Sequence, residues 1–190
     1  MRLPVIAPAD VSAEQKPLFD KLHASIERYL YDFETHKPDG TLIGPFNALL
    51  HFPKLGDAAW NVFLALNDSP TLPPLAREVV ILVTGAAAGS IYELYSHEVV
   101  AARKGLPDDK IRAIAAGQRP SDLTEEEALA YDVAAILTRG AQVPRSTYEA
   151  AVARFGVTGV AEIAYLVGCY GQICNLLNVF DVAIPATDGG

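Results

Sequence analysis

Cysteine is nearly absent from this chain of 190 residues: only Cys169 and Cys174 occur, so neither a disulfide framework nor a four-cysteine metal site can be built from it. That scarcity points to a reducing compartment. Cations are scarce too, with 15 Lys and Arg against 23 Asp and Glu, a net charge of −8, and no basic run longer than the pair Arg103–Lys104. Nucleic acids and anionic membranes are recognised by clustered cations, so this balance argues against both as partners. Long hydrophobic runs are also missing. The longest nearly uncharged apolar stretch, Val79 to Tyr92, is 14 residues and stops at Glu93, short of the roughly 20 needed to span a bilayer. The opening segment breaks its apolar run with Pro4, Pro8 and Asp10, which fits neither a signal peptide nor an anchor. The expected location is the cytoplasm.

Apolar residues, by contrast, make up 51% of the chain and charged residues 20%. The surplus has to be covered, part of it between subunits, so a homo-oligomer is expected. The length fits one domain over 1–190, with an N-terminal arm and helical extension over 1–40 and a flexible tail over 186–190.

The periodicity is helical throughout, and no alternating strand pattern occurs, which makes the fold all-α. Ser12 and Gln15 form a capping-box pattern ahead of Leu18, Leu22, Ile26 and Leu30, spaced four apart on one face. Turn residues from His36 to Thr41 precede a short buried helix after Pro45. Residues 54–67 predict a helix with Leu55, Ala59, Val62, Phe63 and Leu66 on its core side. A long element from Leu75 to Lys104 is expected to break at Gly85–Gly89. Ser90 and Glu93 form a second capping-box pattern, and Gly105 closes the helix that follows. Further helices are expected near Ile111–Ala116, after an N-cap at Thr124 with its core side on Ala128, Tyr131, Ala135 and Leu137, and over Arg145–Phe155 and Val160–Val179. One echo stands out: Glu78-Val-Val-Ile-Leu-Val and Glu162-Ile-Ala-Tyr-Leu-Val lie 84 residues apart.

Among the four histidines, His97 has the surroundings of a chemical group. His36 sits in a turn, His23 on a polar helix face, and His51 where it can bond a carbonyl. Glu93 lies one turn before His97 on the same face, so its carboxylate can orient the imidazole or raise its pKa. Glu78 lies 19 residues upstream and reaches the same point if the chain folds back at Gly85–Gly89. The structural alternatives are that Glu93 merely completes a helix cap and that the pair is a surface pair. No His-x-x-x-His supports a metal site, no Gly-x-Ser-x-Gly surrounds Ser90, and no glycine-rich phosphate loop occurs.

The run from Leu75 to Gly117, LAREVVILVTGAAAGSIYELYSHEVVAARKGLPDDKIRAIAAG, resembles the core of the carboxymuconolactone decarboxylase and alkylhydroperoxidase D superfamily, and weaker similarity covers most of the chain. The resemblance implies a bundle of packed helices assembled as trimers or hexamers. Peroxidase-type members carry Glu, then Cys-x-x-Cys-x-x-x-His, with the Glu 19 residues before the His. Glu78 and His97 keep that spacing, but Ser90 and Glu93 occupy the cysteine positions. Thiol peroxidation by that route requires a thiolate and a resolving thiol, which neither Ser nor Glu can replace. The decarboxylase branch carries Arg about 20 residues before Glu-Leu-x-x-His, which Arg77 and Glu93-Leu94-Tyr95-Ser96-His97 match. On that resemblance, His97 is the general acid/base, Glu93 its partner carboxylate, Glu78 a relay, Arg77 the anchor for a substrate carboxylate, and Tyr92, Tyr95 and Ser90 pocket residues. The expected protein is a cofactor-free, metal-free lyase, decarboxylase or isomerase acting on a small anionic substrate, a carboxylated lactone or related aromatic-breakdown product. The alternatives are a noncatalytic helical oligomer and a divergent redox protein using Cys169 and Cys174.

Overall fold

The computed structural model describes residues 2–30 and 33–185; the tail expected over 186–190 lies outside the described residues. Among the described residues a short 3-10 helix at Pro8–Asp10 precedes eight α-helices: α1 (Lys16–Tyr29), α2 (Gly44–Leu50), α3 (Pro53–Asp68), α4 (Pro74–Ala88), α5 (Ile91–Arg103), α6 (Asp108–Ala115), α7 (Glu125–Thr138) and α8 (Arg145–Val179). Among the described residues the only extended pairing is one isolated bridge between His36 and Leu42, so the all-α expectation holds.

The centre of the fold is α4, where every residue from Ala76 to Gly85 is buried. A helix apolar on all sides needs neighbours on all sides, and α5, α6, α7 and α8 supply them. The helices α1, α2 and α3 form a second group whose aromatic centre is Phe46, Trp60 and Phe63, with the Trp60 and Phe63 rings stacked 4.1 Å apart. Trp60 Nε1 donates to Ser25 Oγ at 3.0 Å, tying α3 to α1, and both α2 and α3 pack on α8. The N-terminal arm is fastened rather than loose. Asn47 Oδ1 accepts from the Ile6 amide, Asn47 Nδ2 donates to the Pro4 carbonyl, and His51 bonds that same carbonyl at 2.8 Å.

Local signals in the sequence are honoured unevenly. Ser12 and Gln15 exchange both capping hydrogen bonds, as do Thr124 and Glu127. The pattern at Ser90 and Glu93 does not cap: Ser90 is the N-cap of α5, but its side chain accepts nothing there. Gly85 stays inside α4, and the break falls at Gly89, which takes the left-handed conformation (φ 61°). The expected core side of α3 is wrong by part of a turn, because Gly56, Trp60 and Phe63 are buried whereas Leu55 is 73% exposed and Val62 is exposed. In α7 the buried set is Glu127, Ala130, Tyr131, Val133 and Ala134, again rotated from expectation towards the α4 contact. Contrary to the expectation that no apolar stretch is long enough, the helix α8 is long and apolar enough by length and composition to cross a bilayer, because Glu162 is followed by an uncharged run to Phe180. Its helical geometry breaks at Gly156 (φ 69°), and the arm beyond buries Ile163, Leu166, Tyr170, Cys174 and Leu177.

One polar contact pins α8 to α4. Arg77 Nη1 donates to Glu162 Oε1 at 2.5 Å, while Glu162 Oε2 accepts from the Thr71 amide and hydroxyl and from the Leu72 amide. Arg77 and Glu162 are both buried, so removing one partner strands the other. Glu162→Ala is therefore expected to destabilise the protein by about 3–5 kcal/mol in urea unfolding. Glu149→Ala, which removes an exposed i,i+4 partner of Arg145, should leave the midpoint nearly unchanged.

Candidate active site

The turn at Gly89 folds α5 back along α4, and Gly85 lets the two helices approach: a Cβ at that position would lie 3.4 Å from Glu93 Cγ and Leu94 Cδ2. This return brings together Glu78 and His97. The imidazole Nδ1 lies 2.9 Å from Glu78 Oε2, and the other Glu78 oxygen accepts from Lys104 Nζ at 2.7 Å. On the opposite edge of the ring, Nε2 lies 3.3 Å from Glu93 Oε1, at ion-pair distance but without hydrogen-bond alignment. Glu78, Glu93 and His97 are all buried, and the Tyr170 ring of α8 stands edge-on to the imidazole at 5.1 Å.

Burial and charge push the two carboxyls apart. For Glu78, burial favours the neutral acid, but the His97 and Lys104 charges and their hydrogen bonds outweigh it and hold the pKa below the ordinary value. Burial also raises Glu93, and the charge of His97 does not offset it, so this carboxyl keeps its proton above the ordinary range. His97 is lowered by burial and raised by Glu78 through charge and hydrogen bond, with a net rise. The two carboxyls on either side of His97 are thus shifted in opposite directions, Glu78 towards the ionised form and Glu93 towards the protonated one.

Glu78, His97 and Lys104, but not Glu93, form part of the wall of a polar cavity of about 190 Å³, whose other polar lining includes Arg77, Asn67 and Arg28. Arg77 lines it but does not offer a free fork, since Nη1 is bonded to Glu162 and Nη2 to Asn67 Oδ1 at 3.3 Å. The expected carboxylate anchor is therefore committed within the protein, and Lys104, partly exposed, lines the cavity along with Arg28. Lys104 lies seven residues after His97, two turns along the same face of α5, a periodicity visible in the sequence. Tyr170 and Asn67 carry no comparable signal.

The remaining candidates divide. Tyr92 is buried with its hydroxyl unpartnered, and it packs against Gly44, where φ is 61° and a Cβ would collide with that hydroxyl. Burial, with the Tyr95 charge next in size, raises its pKa. Tyr95 packs edge-on against Tyr92 at 6.0 Å and lines neither cavity at His97. Ser90 is fully buried beside Cys174 and also away from both cavities. Burial pushes the Cys169 and Cys174 thiols up to about 11 and about 12, so both stay protonated and weakly nucleophilic. Among the described residues no group of three His, Cys, Asp or Glu side chains is placed to hold a metal ion.

This arrangement of helices is the alkylhydroperoxidase D-like fold. Solved structures that share it include an alkylhydroperoxidase AhpD core, an uncharacterised peroxidase-related protein from Ralstonia eutropha JMP134, with a TM-score of 0.73 at 17% identity over 98% of this chain and 92% of that one. The debrominase Bmp8 superposes with a TM-score of 0.69 at 18% identity, covering 96% of this chain and 91% of its own. A cysteine-to-alanine form of Bmp8 in complex with 2,3,4-tribromopyrrole superposes at 0.70 with 17% identity, over 98% of this chain and 92% of that one. In sequence, no family model and no curated protein matches the chain.

The opposite displacements of Glu78 and Glu93 make stability depend on pH in a traceable way. A carboxyl whose native pKa is raised binds a proton that the unfolded chain loses above its ordinary value of 4.5, so stability falls as pH rises through that window. Glu93→Gln removes this loss. Its stability relative to wild type should therefore improve steadily between about pH 4 and pH 7. A difference that stays constant with pH in urea titrations would show that Glu93 is ionised in the native protein.

Proposed function

We propose that the protein is a cofactor-free general acid/base enzyme acting on a small carboxylated substrate, of the decarboxylase, lyase or isomerase type. One observation carries the reading: His97 sits between two buried carboxyls whose pKa values are shifted in opposite directions, at the wall of a polar cavity that Lys104, Arg77 and Arg28 also line. An imidazolium buried there is a proton donor, and a cavity of about 190 Å³ has room for a small organic acid rather than a polymer. Lys104 takes the anchoring role at the substrate carboxylate, by leaving or sharing Glu78. Arg77 supports it from behind by fixing the α4–α8 contact.

In this reading, substrate binding brings the compensating negative charge. When the bond to a carboxylate breaks, the electron pair stays on the adjacent carbon, delocalised into a neighbouring carbonyl, and that carbon takes the proton of His97. Glu78 stabilises the imidazolium before transfer, and Glu93 supplies the replacement proton. A lactone isomerisation uses the same groups, with the proton removed at one carbon and returned at another. The fold relatives include a named debrominase, so the framework carries chemistry, and in this chain Ser90 and Glu93 direct it towards proton transfer rather than thiol chemistry.

The assembly is proposed to be a trimer or hexamer in the cytoplasm, because Leu55, Ile91, Val157 and Tyr165 expose large apolar side chains that a second copy would cover. Sedimentation should report a single species larger than the 20.3 kDa chain.

Screening small carboxylated lactones and keto acids should find a compound that is turned over. With it, His97→Gln should lose about 10²- to 10⁴-fold in kcat. Lys104→Met should act mainly on KM for the carboxylated compound and much less on a neutral ester analogue. Unchanged turnover in folded His97→Gln would sink the assignment.

A further inference from the structure

A separate concavity opens between α2, α3 and α8 and measures about 120 Å³. Its chemistry is the opposite of the polar cavity's. Whereas Arg28, Arg77 and Lys104 line the space at His97, no Asp, Glu, Lys, Arg or His lines this one. Leu49, Trp60, Phe63 and Cys169 are buried and form its floor, and Phe52 and Leu55, 41% and 73% exposed, stand at its rim. The one amide is that of Gln172, exposed at the mouth. The Cys169 thiol, kept protonated by burial, adds a neutral and polarisable sulfur to the floor. A bound water needs two to four polar partners, which such a floor does not offer. Close-packed interiors hold few voids larger than a water, so an apolar hollow of this volume is an unusual thing for a protein to keep. Apolar cavities of about 150 Å³ stay dry and take up benzene or xenon, and this one is of the same order with an open mouth.

We propose that this pocket is a second ligand site, one that binds a neutral apolar molecule of the size of benzene or toluene and not the carboxylated compound assigned to the polar cavity. Concave, mostly apolar spaces with one or two polar groups at the edge are the usual form of a small-molecule site. The Trp60 and Phe63 rings are stacked on each other at 4.1 Å, and a third ring laid against their exposed edges gains offset or edge-to-face contact. The Cys169 sulfur adds a favourable contact with an aromatic edge. A ligand hydroxyl or carbonyl at the mouth can bond the Gln172 amide, so one such substituent is tolerated. A carboxylate is not, because it would lose its water against aromatic carbon with no cation to receive it. An apolar side chain from a second copy, reaching in past Leu55, is the competing occupant.

Trp60 is the only tryptophan in the chain, and it lines this pocket but not the polar cavity, so its fluorescence reads the site whatever the fate of the proposed enzyme activity. Toluene should change the Trp60 emission saturably, with a Kd on the order of 0.1–1 mM for so small a ligand. Benzoate, the same ring with a carboxylate, should bind at least about ten-fold more weakly by that signal. Ala59→Leu fills the space from α3 and should weaken toluene by at least about ten-fold. Should that variant not fold, crystals of the wild-type protein under xenon pressure decide in its place, with density expected between Trp60 and Cys169. Toluene bound equally well by folded Ala59→Leu overturns the proposal. So does a Trp60 response that never saturates, benzoate that matches toluene, or a crystal structure in which a side chain of a second copy fills the pocket.

Discussion

The structure depends on one constraint, the burial of two adjacent charged residues, Arg77 and Glu78, in a helix that is otherwise apolar on every side. Neither side chain can remain in the interior alone, since an isolated buried ion costs far more than any single packing contact returns. Successive residues on a helix point about 100° apart, so the two charges demand partners from two directions. Arg77 is met by Glu162 of α8, and Glu78 by His97 and Lys104 of α5. The placement of the two helices around α4 is thus specified by polar pairing as well as by apolar volume. A slip of either helix by one residue would strand an ion, whereas apolar packing alone tolerates such slips more easily.

The same constraint explains the chemistry. His97 is held from both sides, yet the two carboxyls beside it are in different states because only one of them has a second cation. Glu78 is lowered by the charge and hydrogen bond of His97 and then by those of Lys104, whereas Glu93 has only the charge of His97 against its burial and is raised. Two like groups whose environments drive their protonation apart are the usual arrangement of an acid/base pair. At the Arg77 contact, burial raises the Glu162 pKa but the hydrogen bonds from Thr71 and Leu72 and the Arg77 charge outweigh it and hold it below the ordinary value. It serves as a fixed frame for the groups that do titrate.

Much of the framework was legible in the sequence, and the misses share a cause. Capping at Ser12 and Thr124, the stop at Gly105 and the interruption near Gly156 are written in a few adjacent residues and came out as expected. The facing of α3 and α7 was misjudged because helical periodicity says which residues share a side, not which side another helix will cover. At the site, the 19-residue interval between Glu78 and His97 and the one-turn interval to Glu93 were readable, and the turn at Gly89 joins them. The role of Arg77 was not, since it depends on Glu162, which is 85 residues from Arg77 and belongs to a helix whose register local sequence does not reveal. The echo of the Glu78 segment around Glu162 was the one available sign, for both glutamates turn out to be buried counter-ions. Ser90 and Glu93 form a sound capping pattern in isolation. The pattern fails because the interior claims both side chains, and a carboxyl drawn into the core beside an imidazole cannot also reach back to a helix terminus.

That last displacement bears on what the fold can do with a glutamate at Glu93. In the peroxidase pattern that this segment resembles, the position one helical turn before the histidine holds a thiol, which is oxidised and reduced there. A carboxyl in the same place can exchange only a proton, but burial makes that exchange useful. In water a glutamic acid would be ionised at neutral pH and would lock onto the imidazolium as a second counter-ion. In the α4–α5 interior its pKa is raised and it lies misaligned with Nε2, so in the proposed chemistry it exchanges a proton with His97 without first breaking a strong ion pair. The aromatic enclosure around Tyr92 and Glu93 is therefore as necessary to the proposed chemistry as the histidine itself, because it keeps one of two neighbouring carboxyls a donor.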